Sequence, residues 1–459
     1  MIKITELNPV YSRIEGDEGL IRNWLQYPRY YYKQKKYKKE RVNYSSPLVK
    51  GKENIFYTGF VSRIKDYLKL RELEVECSMI DYEQETISPK LEGIKFRDDQ
   101  LEALSSMVKA KRGVWKAPTG SGKTIIISGL VSAFCYDRAL VLVHTKDLLM
   151  QTKYELERFF PDVGIIGDGR NEPEDITVAT VQTLSNMDLK EFGKQWGLLI
   201  VDEVHHVRKF GGVWDKVLSK IYAPARFGLT ATLPEDKEGI LTMEGLIGPI
   251  IGKTSYEELQ DNDILAKPKL KLIWVPERST DNLKGRYGDS YDKDGNLVPG
   301  VYYHGIVKNR TRNDLIVKTT EEFISKDLTV LVMVERLEHG EELFKMTEAI
   351  MPGKFMFLHG DTPAKIREEQ RRVFEDKECS GIIATRVWSE GINVKSIGAV
   401  INAVGGESEI AALQRFGRGM RKTEGKDVIW LVDFLDCNHR WFQKHSMKRL
   451  CMYFEQGWI

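Results

Sequence analysis

The sequence lacks long apolar runs, and this absence excludes a large class of proteins. No stretch of its 459 residues approaches the roughly 20 consecutive apolar residues that a membrane-spanning helix requires. The opening segment, MIKITELNPVYSRIEGDEG, also lacks the apolar core of a signal peptide. We therefore expect a cytoplasmic protein that is neither embedded in a membrane nor exported.

Cysteine pairs, internal repeats and a large net charge are absent as well. The five cysteines are scattered along the chain, so neither a disulfide framework nor a structural metal site is expected. We find no repeat of solenoid period and no low-complexity tract. Because the formal net charge is only +2, any surface that binds nucleic acid must be local.

One such local surface is the basic stretch PRYYYKQKKYKKERV at residues 28–42. Between Arg22 and Lys52 there are ten basic residues and one acidic residue, a local net charge of +9. The stretch is either a solvated helix with its tyrosines in a core or a surface that binds a polyanion. Under the second hypothesis the DNA contacts are Lys35, Lys36, Lys38 and Lys39.

Apolar runs and helical patterns divide the chain into three parts. Residues 1–90 predict a small α+β domain. Residues 91–265 alternate strands (RGVWKAP, RALVLVHT, ITVATVQT, WGLLIVDE, RFGLTAT) with helices, which is typical of a doubly wound parallel sheet. After a Pro/Lys break at LAKPKL, residues 266–459 repeat the pattern (LTVLVMV, KFMFLHG, GIIATR, GAVINAV, DVIWLVDF). This last part also has a hairpin-like insertion at about 277–305 and a C-terminal helix.

A phosphate-binding loop is predicted at WKAPTGSGKT. Gly120, Ser121 and Gly122 lie between a strand and a helix, where backbone amides can converge on phosphate oxygens. Lys123 would add positive charge at the outer phosphates. The Thr124 hydroxyl would coordinate Mg²⁺.

Two adjacent carboxylates at the end of the apolar strand in LLIVDEVHH are further candidate site residues. Asp202 can hold Mg²⁺, and Glu203 can polarise the water that attacks the terminal phosphate. We do not interpret His205 and His206 as metal ligands, because adjacent residues on a strand point to opposite faces. We expect His205 to hydrogen-bond toward a neighbouring motif.

Near the end of the chain, LQRFGRGMRK places Gln414, Arg418 and Arg421 at helical spacing. Phosphoryl transfer needs positive charge at the terminal phosphate, which such arginines supply. The alternative is a basic helix face exposed to solvent.

Taken together, these motifs resemble those of superfamily-two helicases of the DEAH/DExH kind over roughly residues 94–436. The subgroup that holds XPB-like and phage UvsW-like branch-migration helicases is the most similar. Asn393 departs from the commoner family form, in which an acidic residue is frequent at this position. The motifs occur in family order: FRDDQ, APTGSGKT, HTKDLLMQ, VATVQTL, DEVH, TAT, LVMVERLEHGEEL, LHGD, ATRVWSEGINV and QRFGRGMR.

The resemblance implies two RecA-like domains that bind ATP and Mg²⁺, and it assigns roles to residues. Thr124 and Asp202 would hold the metal. His205, Thr230 and Thr232 would couple hydrolysis to movement. The residues that would bind ATP are Arg97, Gln100, Pro118, Thr119, Gly120, Ser121, Gly122, Lys123, Thr124, Glu390 and Gly391. Those that would contact nucleic-acid phosphates are Thr145, Lys146, Thr183, Thr385 and Arg386.

The function that the resemblance implies is an ATP-dependent DNA helicase or translocase. We expect it to act as a monomer on forks, Holliday junctions or R-loops, which contain an RNA–DNA hybrid. If a phage encodes the chain, we expect it to act in the host cytoplasm. Three alternatives stay open: an RNA helicase, the motor subunit of a restriction or nuclease complex, and an ATP-gated scaffold without motor activity.

Overall fold

The computed structural model describes residues 2–35, 38–234, 236–276, 299–360, 362, 364–385, 397–405, 422 and 427–459. Two compact units are present: residues 1–118 with 122–254, and residues 119–121 with 255–459. Each unit is mixed α/β, as the sequence predicts. Within the described ranges, each helix is too short or too polar to cross a membrane.

The first unit begins with a small α+β module. Its sheet has the strand order β5-β2-β1-β6, in which only the β1/β6 pair is parallel. The helix α2 covers VSRIKDYLKL. The elements are β1 (Ile2–Glu6), β2 (Tyr11–Glu15), α1 (Glu18–Trp24), β3 (Gln26–Lys35), β4 (Lys38–Pro47), β5 (Ile55–Tyr57), α2 (Val61–Leu70) and β6 (Val75–Ser78).

The basic stretch forms a β-hairpin rather than a helix. Strands β3 and β4, each of 10 residues, pair antiparallel from Gln26↔Pro47 to Lys35↔Lys38. The alternative of a solvated helix is therefore wrong. Lys36 and the side chains of residues 30–43 lie outside the described part of the chain, but at the base of the hairpin Tyr27 is buried.

The rest of the first unit surrounds an eight-stranded sheet of order β10-β9-β11-β8-β12-β13-β7-β14, in which only β10 is antiparallel. All five predicted strands are present. The elements are α3 (Asp98–Ala110), β7 (Arg112–Lys116), α4 (Lys123–Ala133), β8 (Ala139–Val143), α5 (Lys146–Leu156), β9 (Val163–Gly167), β10 (Arg170–Glu172), β11 (Ile176–Thr180), α6 (Val181–Leu184), β12 (Leu198–Asp202), α7 (Val213–Leu218), β13 (Ala225–Thr230), α8 (Lys237–Leu246) and β14 (Ile250–Lys253).

The N-terminal module and the eight-stranded sheet share one hydrophobic core. Residues of the module such as Phe60 and Ile64 belong to the same buried cluster as residues of the sheet and its helices. Gly59 packs so closely on α8 that an added Cβ would lie 2.0 Å from the Glu244 carbonyl oxygen. Arg63 donates two hydrogen bonds to the Glu244 carboxylate, at 2.7 and 2.5 Å. A shared close-packed core joins the two parts into one body.

The second unit is built on a six-stranded, wholly parallel sheet of order β15-β20-β19-β16-β18-β17. It contains all five strands predicted for this part of the chain. The elements are α9 (Tyr256–Asp261), β15 (Lys267–Val275), α10 (Pro299–Tyr302), α11 (Arg310–Ile324), β16 (Val330–Met333), α12 (Leu337–Ile350), β17 (Phe355–Leu358), α13 (Ala364–Glu375), β18 (Gly381–Ala384), β19 (Ala399–Asn402), β20 (Val428–Asp436) and α14 (Arg440–Glu455).

The Pro/Lys segment that the sequence suggests as a break is the start of strand β15. Pro268 is tolerated there because β15 lies at the edge of the sheet. The division between the two units falls between Thr254 and Ser255, before the predicted boundary at residue 265. Of the predicted insertion at 277–305, residues 277–298 lie outside the described part.

Buried ion pairs fix the C-terminal helix α14 to the second sheet. Arg449 donates to Asp433 at 2.6 Å, and the Tyr453 hydroxyl donates to the same carboxylate oxygen at 2.6 Å. Arg312 of α11 pairs with Asp436 at 2.7 Å, with both side chains fully buried. The prediction of a C-terminal helix is confirmed. The pairing matters because an unpartnered buried charge is strongly destabilising.

Candidate active site

The site residues of the first unit lie at the carboxyl ends of the parallel strands. Lys116, Asp202 and Thr230 stand where β7, β12 and β13 end. These three strands are near neighbours in the sheet order. In open parallel sheets, ligands bind in the crevice outside this edge.

The phosphate-binding loop has the backbone conformation that its glycines predict. Gly120 and Gly122 have φ values of +90° and +86°, which residues with a Cβ rarely adopt. Gly122 precedes α4 directly, so the loop delivers backbone N–H groups at a helix N-terminus. A Cβ on Gly122 would lie 2.8 Å from Gln100 Nε2 and 3.6 Å from Arg97 Nη1. The structure therefore brings the FRDDQ segment against this loop.

Gln100 is buried and takes part in the start of helix α3. Its side-chain oxygen accepts a hydrogen bond from the Arg97 backbone N–H at 3.2 Å. The Arg97 guanidinium is itself bound by Asp99 through two bonds of 2.9 Å. Both FRDDQ side chains are thus held in fixed orientations beside the loop.

The two charged groups of the predicted chemistry contact each other directly. Lys123 Nζ lies 2.6 Å from Glu203 Oε1, and only 13% and 17% of these side chains are exposed. Burial alone would raise the pKa of the Glu203 carboxyl, but the Lys123 ammonium and a hydrogen bond from His205 hold that pKa well below its usual range. Glu203 is therefore a carboxylate at neutral pH.

Asp202 differs from its neighbour in its electrostatics. Burial, together with the negative charge of Glu203, raises the pKa of the Asp202 carboxyl to about 6. Its Oδ1 accepts the Glu203 backbone N–H at 2.9 Å. An adjacent cation would stabilise this buried carboxylate. An oxygen donor of this kind suits Mg²⁺, which uses few protein ligands beside phosphates and water.

The segment after β12 leaves the strand at once. Glu203 adopts a left-handed conformation with φ +50°, and a short 3₁₀ turn, Val204–His206, follows. The prediction that the two histidines lie on a strand is therefore wrong, and their ring centroids are 4.3 Å apart. Among the described residues we find no group of His, Cys, Asp and Glu side chains that could hold a metal ion.

His205 makes the hydrogen bond that the sequence predicts toward a neighbouring motif. Its Nδ1 lies 2.9 Å from Thr230 Oγ1 and 3.3 Å from Glu203 Oε2. The Thr230 hydroxyl donates to the Thr232 carbonyl oxygen at 2.7 Å. The DEVH and TAT segments are thus joined through buried side chains, next to the Lys123 pair.

The other half of the carboxyl edge carries the candidates for phosphate contact. Thr145 caps helix α5 by accepting the Leu148 N–H at 3.3 Å. Lys146, with 73% of its side chain exposed, pairs with Asp168 at 2.9 Å. Thr183 lies 2.8 Å from Thr180 through their hydroxyl oxygens. These residues follow β8 and β11, which form a rim beside the half of the same edge that carries the phosphate-binding loop.

The candidates from the second unit are only partly described. Thr385 directly follows β18, and its backbone N–H donates to Leu358 O at 3.0 Å. The side chain of Thr385 is buried. Arg386, Glu390, Gly391, Gln414, Arg418 and Arg421 lie outside the described residues, so their roles stay predictions.

One group of residues near the site was not found by sequence reasoning. Phe210 and Asp215 follow the DEVH segment and are buried against the N-terminal module. The only signal in the sequence is the KFGG turn that precedes α7. Nothing in that pattern indicates a partner so far away along the chain.

The fold and the site together define a nucleoside-triphosphatase with a phosphate-binding loop. The family described as "Type III restriction enzyme, res subunit" matches residues 82–235, and "Helicase conserved C-terminal domain" matches residues 303–423. The chain is 30% identical to the DNA 3'-5' translocase XPB2 of Sulfurisphaera tokodaii over 395 residues, which are 80% of this chain and 87% of that protein. It is 25% identical to the ATP-dependent DNA helicase uvsW of Enterobacteria phage T4 over 354 residues, 73% of this chain and 68% of that one.

A solved structure is similar in fold alone. It is the fragment of a putative HsdR subunit of a type I restriction enzyme from Vibrio vulnificus YJ016, with a TM-score of 0.59, 16% identity, and coverage of 91% of this chain and 90% of that chain. From the similarity to XPB2, this chain belongs to the superfamily-two helicases, in the XPB-like group. It is an ATP-hydrolysing enzyme.

Proposed function

We propose that this chain is an ATP-dependent DNA helicase or translocase that remodels branched DNA such as forks, R-loops and four-way junctions. The observation that carries the proposal is the arrangement of the first unit. Its sheet edge carries the Lys123/Glu203 pair beside the Thr145 to Thr183 rim, and the base of the basic hairpin is packed through Tyr27 into the core of the same unit. The relatives XPB2 and uvsW, both named for action on DNA, support DNA as the substrate.

The chemistry follows from the residues around the phosphate-binding loop. Backbone amides at Gly120 to Gly122 and the Lys123 ammonium would bind the phosphates of ATP. Thr124 and Asp202 would hold Mg²⁺, which when bound neutralises charge on the phosphates. Glu203, ionised at neutral pH, would accept a proton from the attacking water.

The basic hairpin would hold a duplex arm near the branch point. Its strands are long enough to extend about 30 Å, and their sequence carries Lys35, Lys36, Lys38 and Lys39. A two-stranded ribbon fits the width of a DNA major groove. Contacts to phosphates are independent of sequence, which suits an enzyme that recognises DNA shape.

A matched pair of charge reversals tests the hairpin. Lys38→Glu with Lys39→Glu should weaken binding to a forked duplex and reduce the slope of log affinity against log salt by about 0.9 per lost phosphate contact. Lys65→Glu with Lys69→Glu changes the net charge equally on the exposed face of α2 and is the control. Equal effects of the two pairs would remove the hairpin from the proposed DNA-binding surface.

A second candidate function is the motor subunit of a restriction complex. It is favoured by the match to the restriction-enzyme family and by the similarity to the HsdR fragment. ATP hydrolysis should be compared over single strands, blunt duplex, forks, four-way junctions and RNA–DNA hybrids. Strongest stimulation by forks and junctions supports branched-DNA remodelling, whereas equal stimulation by blunt duplex together with a co-purifying nuclease supports the restriction motor.

We propose that the enzyme acts in the cytoplasm as a monomer on DNA.

A further inference from the structure

The chain that leaves the DEVH segment runs directly into the core shared with the N-terminal module. Val204, Val207 and Phe210 are spaced three residues apart, and all three are buried in that core. Val207 N–H donates to the Val204 carbonyl at 2.9 Å, which continues the 3₁₀ turn. Glu203 is therefore joined to Phe210 by a short segment whose apolar side chains are close-packed in the core.

At its far end this segment contacts the base of the basic hairpin. The Phe210 ring lies 4.9 Å from the Tyr27 ring, and Tyr27 is the second residue of β3. The same Phe210 ring stacks on Tyr57 with centroids 6.1 Å apart and planes within 7°. Tyr57 in turn stacks on Tyr11 of β2 at 5.5 Å. Within the described part of the chain, Phe210 is thus the residue between the DEVH segment and α7 whose ring we find against aromatic rings of the N-terminal module.

A buried carboxylate fixes this contact. Asp215 of α7 accepts the Tyr57 hydroxyl at 2.5 Å with one oxygen and the Gly211 N–H at 2.5 Å with the other. Asp215 is buried, so both bonds lie in a low-dielectric environment where they are strong. Gly211, next to Phe210 in the chain, and Tyr57, on which Phe210 stacks, therefore share Asp215 as their hydrogen-bond acceptor.

We propose that Phe210 is a positioning residue that couples the ATP site to the basic hairpin. Binding of ATP at the phosphate-binding loop and Lys123 releases Glu203 and shifts the segment from Val204 to Phe210. Phe210 transfers that shift to Tyr27 and so to the DNA held by the hairpin. The inference rests on the proposed DNA-binding function. By linkage, DNA on the hairpin changes ATP affinity by the same factor.

The test compares the dissociation constant for a forked duplex with and without a non-hydrolysable ATP analogue. The ratio of the two constants is the coupling, typically about 5- to 150-fold in allosteric proteins. Phe210→Leu should bring the ratio to within about twofold of one. Tyr57→Phe, which keeps the ring but removes the bond to Asp215, should lower the ratio in part.

The control is Phe192→Leu, the same substitution in a side chain that packs on the same core and on Trp196 at 5.2 Å. It should keep the wild-type ratio. A wild-type ratio of one, or an unchanged ratio in both Phe210→Leu and Tyr57→Phe, would overturn the proposal. Failure of the wild type to bind the fork at all would instead overturn the proposed function, so the two failures are distinguishable.

Discussion

Lys123 Nζ and Glu203 Oε1 are 2.6 Å apart in a largely buried pair. The group that would bind phosphate and the group that would activate water thus neutralise each other. A phosphate that enters the loop competes for Lys123 and weakens its bond to Glu203. Under the proposed function, the pair would therefore link phosphate binding to the release of the base, without a separate switch.

Loss of the ammonium group should abolish hydrolysis. We expect Lys123→Ala to lower the rate of DNA-stimulated ATP hydrolysis by at least about 10²-fold, the usual cost of removing one charge-stabilising donor. Lys194→Ala removes a lysine from an exposed pair with Glu191 and should leave the rate unchanged. A Lys123→Ala enzyme with near wild-type turnover would contradict the assignment.

The contact between Gly122 and Gln100 can be tested with two glycines. Gly122→Ala would place a Cβ 2.8 Å from Gln100 Nε2, so we expect ATP affinity to fall about tenfold or more, which is 1.4 kcal/mol. Gly93→Ala imposes similar strain, at φ +72°, in open space. Titration with nucleotide should show a loss of ATP affinity only for Gly122→Ala. Equal ATP affinities of the two variants would contradict a steric effect of the Cβ on Gln100.

The shared core predicts that the N-terminal module and the first helicase sheet unfold together. Gly59→Ala would force a Cβ to 2.0 Å from the Glu244 carbonyl, and overpacking of this kind costs about 1 to 3 kcal/mol. On α1, Gly19→Ala would meet only Asp17 Oδ1 at an ordinary contact distance of 3.9 Å and should be neutral or stabilising. Calorimetry should show one unfolding transition for this unit, with a lower midpoint temperature in Gly59→Ala than in the wild type. Separate melting of residues 1–90 would contradict the shared core.

Acid should destabilise the second unit through His339. This ring is buried, with Nε2 3.0 Å from Asn313 Oδ1, and burial together with the charge of Arg312 holds its pKa well below the usual 6.5. As pH falls below 6.5, His339 is protonated in the unfolded chain while it stays neutral in the folded chain. Stability is therefore complete above pH 6.5 and is lost progressively as pH falls below it.

The substitution His339→Gln removes this titration and keeps a donor for Asn313. Thermal unfolding at pH 7.5 and 5.5 should show a smaller acid shift in His339→Gln than in the wild type. His445→Gln replaces a half-buried ring of α14 that contacts Trp441; it is the control and should keep the wild-type shift. The same acid shift in all three proteins would contradict the role of His339.

The sequence identifies β7, β8, β11, β12 and β13 because buried parallel strands are continuous apolar runs, as in LLIVD of β12. It misses the interior strand β9, whose sequence VGIIG contains two glycines. It does not identify β15, in which Lys267, Lys269 and Lys271 alternate with apolar residues and Pro268 is present. An edge strand needs neither a fully apolar sequence nor a donor at every position. An edge strand such as β15 is therefore hard to find from apolar runs, although β17 at the opposite edge of the same sheet is apolar and is predicted.

In the site, sequence spacing predicts the loop glycines and the carboxylates, because these residue types are demanded by phosphate chemistry. It does not predict that Gln100 packs on Gly122 or that Phe210 packs on Tyr27. Such contacts join residues far apart in the chain, and any large apolar residue satisfies the local pattern. The residues that connect the ATP site to its surroundings are thus visible only in three dimensions.

The most direct test of the account is ATP-driven movement of a synthetic four-way junction with homologous arms. Fluorescently labelled arms separate when the junction migrates, and the wild type with ATP and Mg²⁺ should convert the junction to two duplexes while Glu203→Gln should not. ATP hydrolysis stimulated by the junction, with no arm separation by the wild type, would contradict the claim that this enzyme remodels branched DNA.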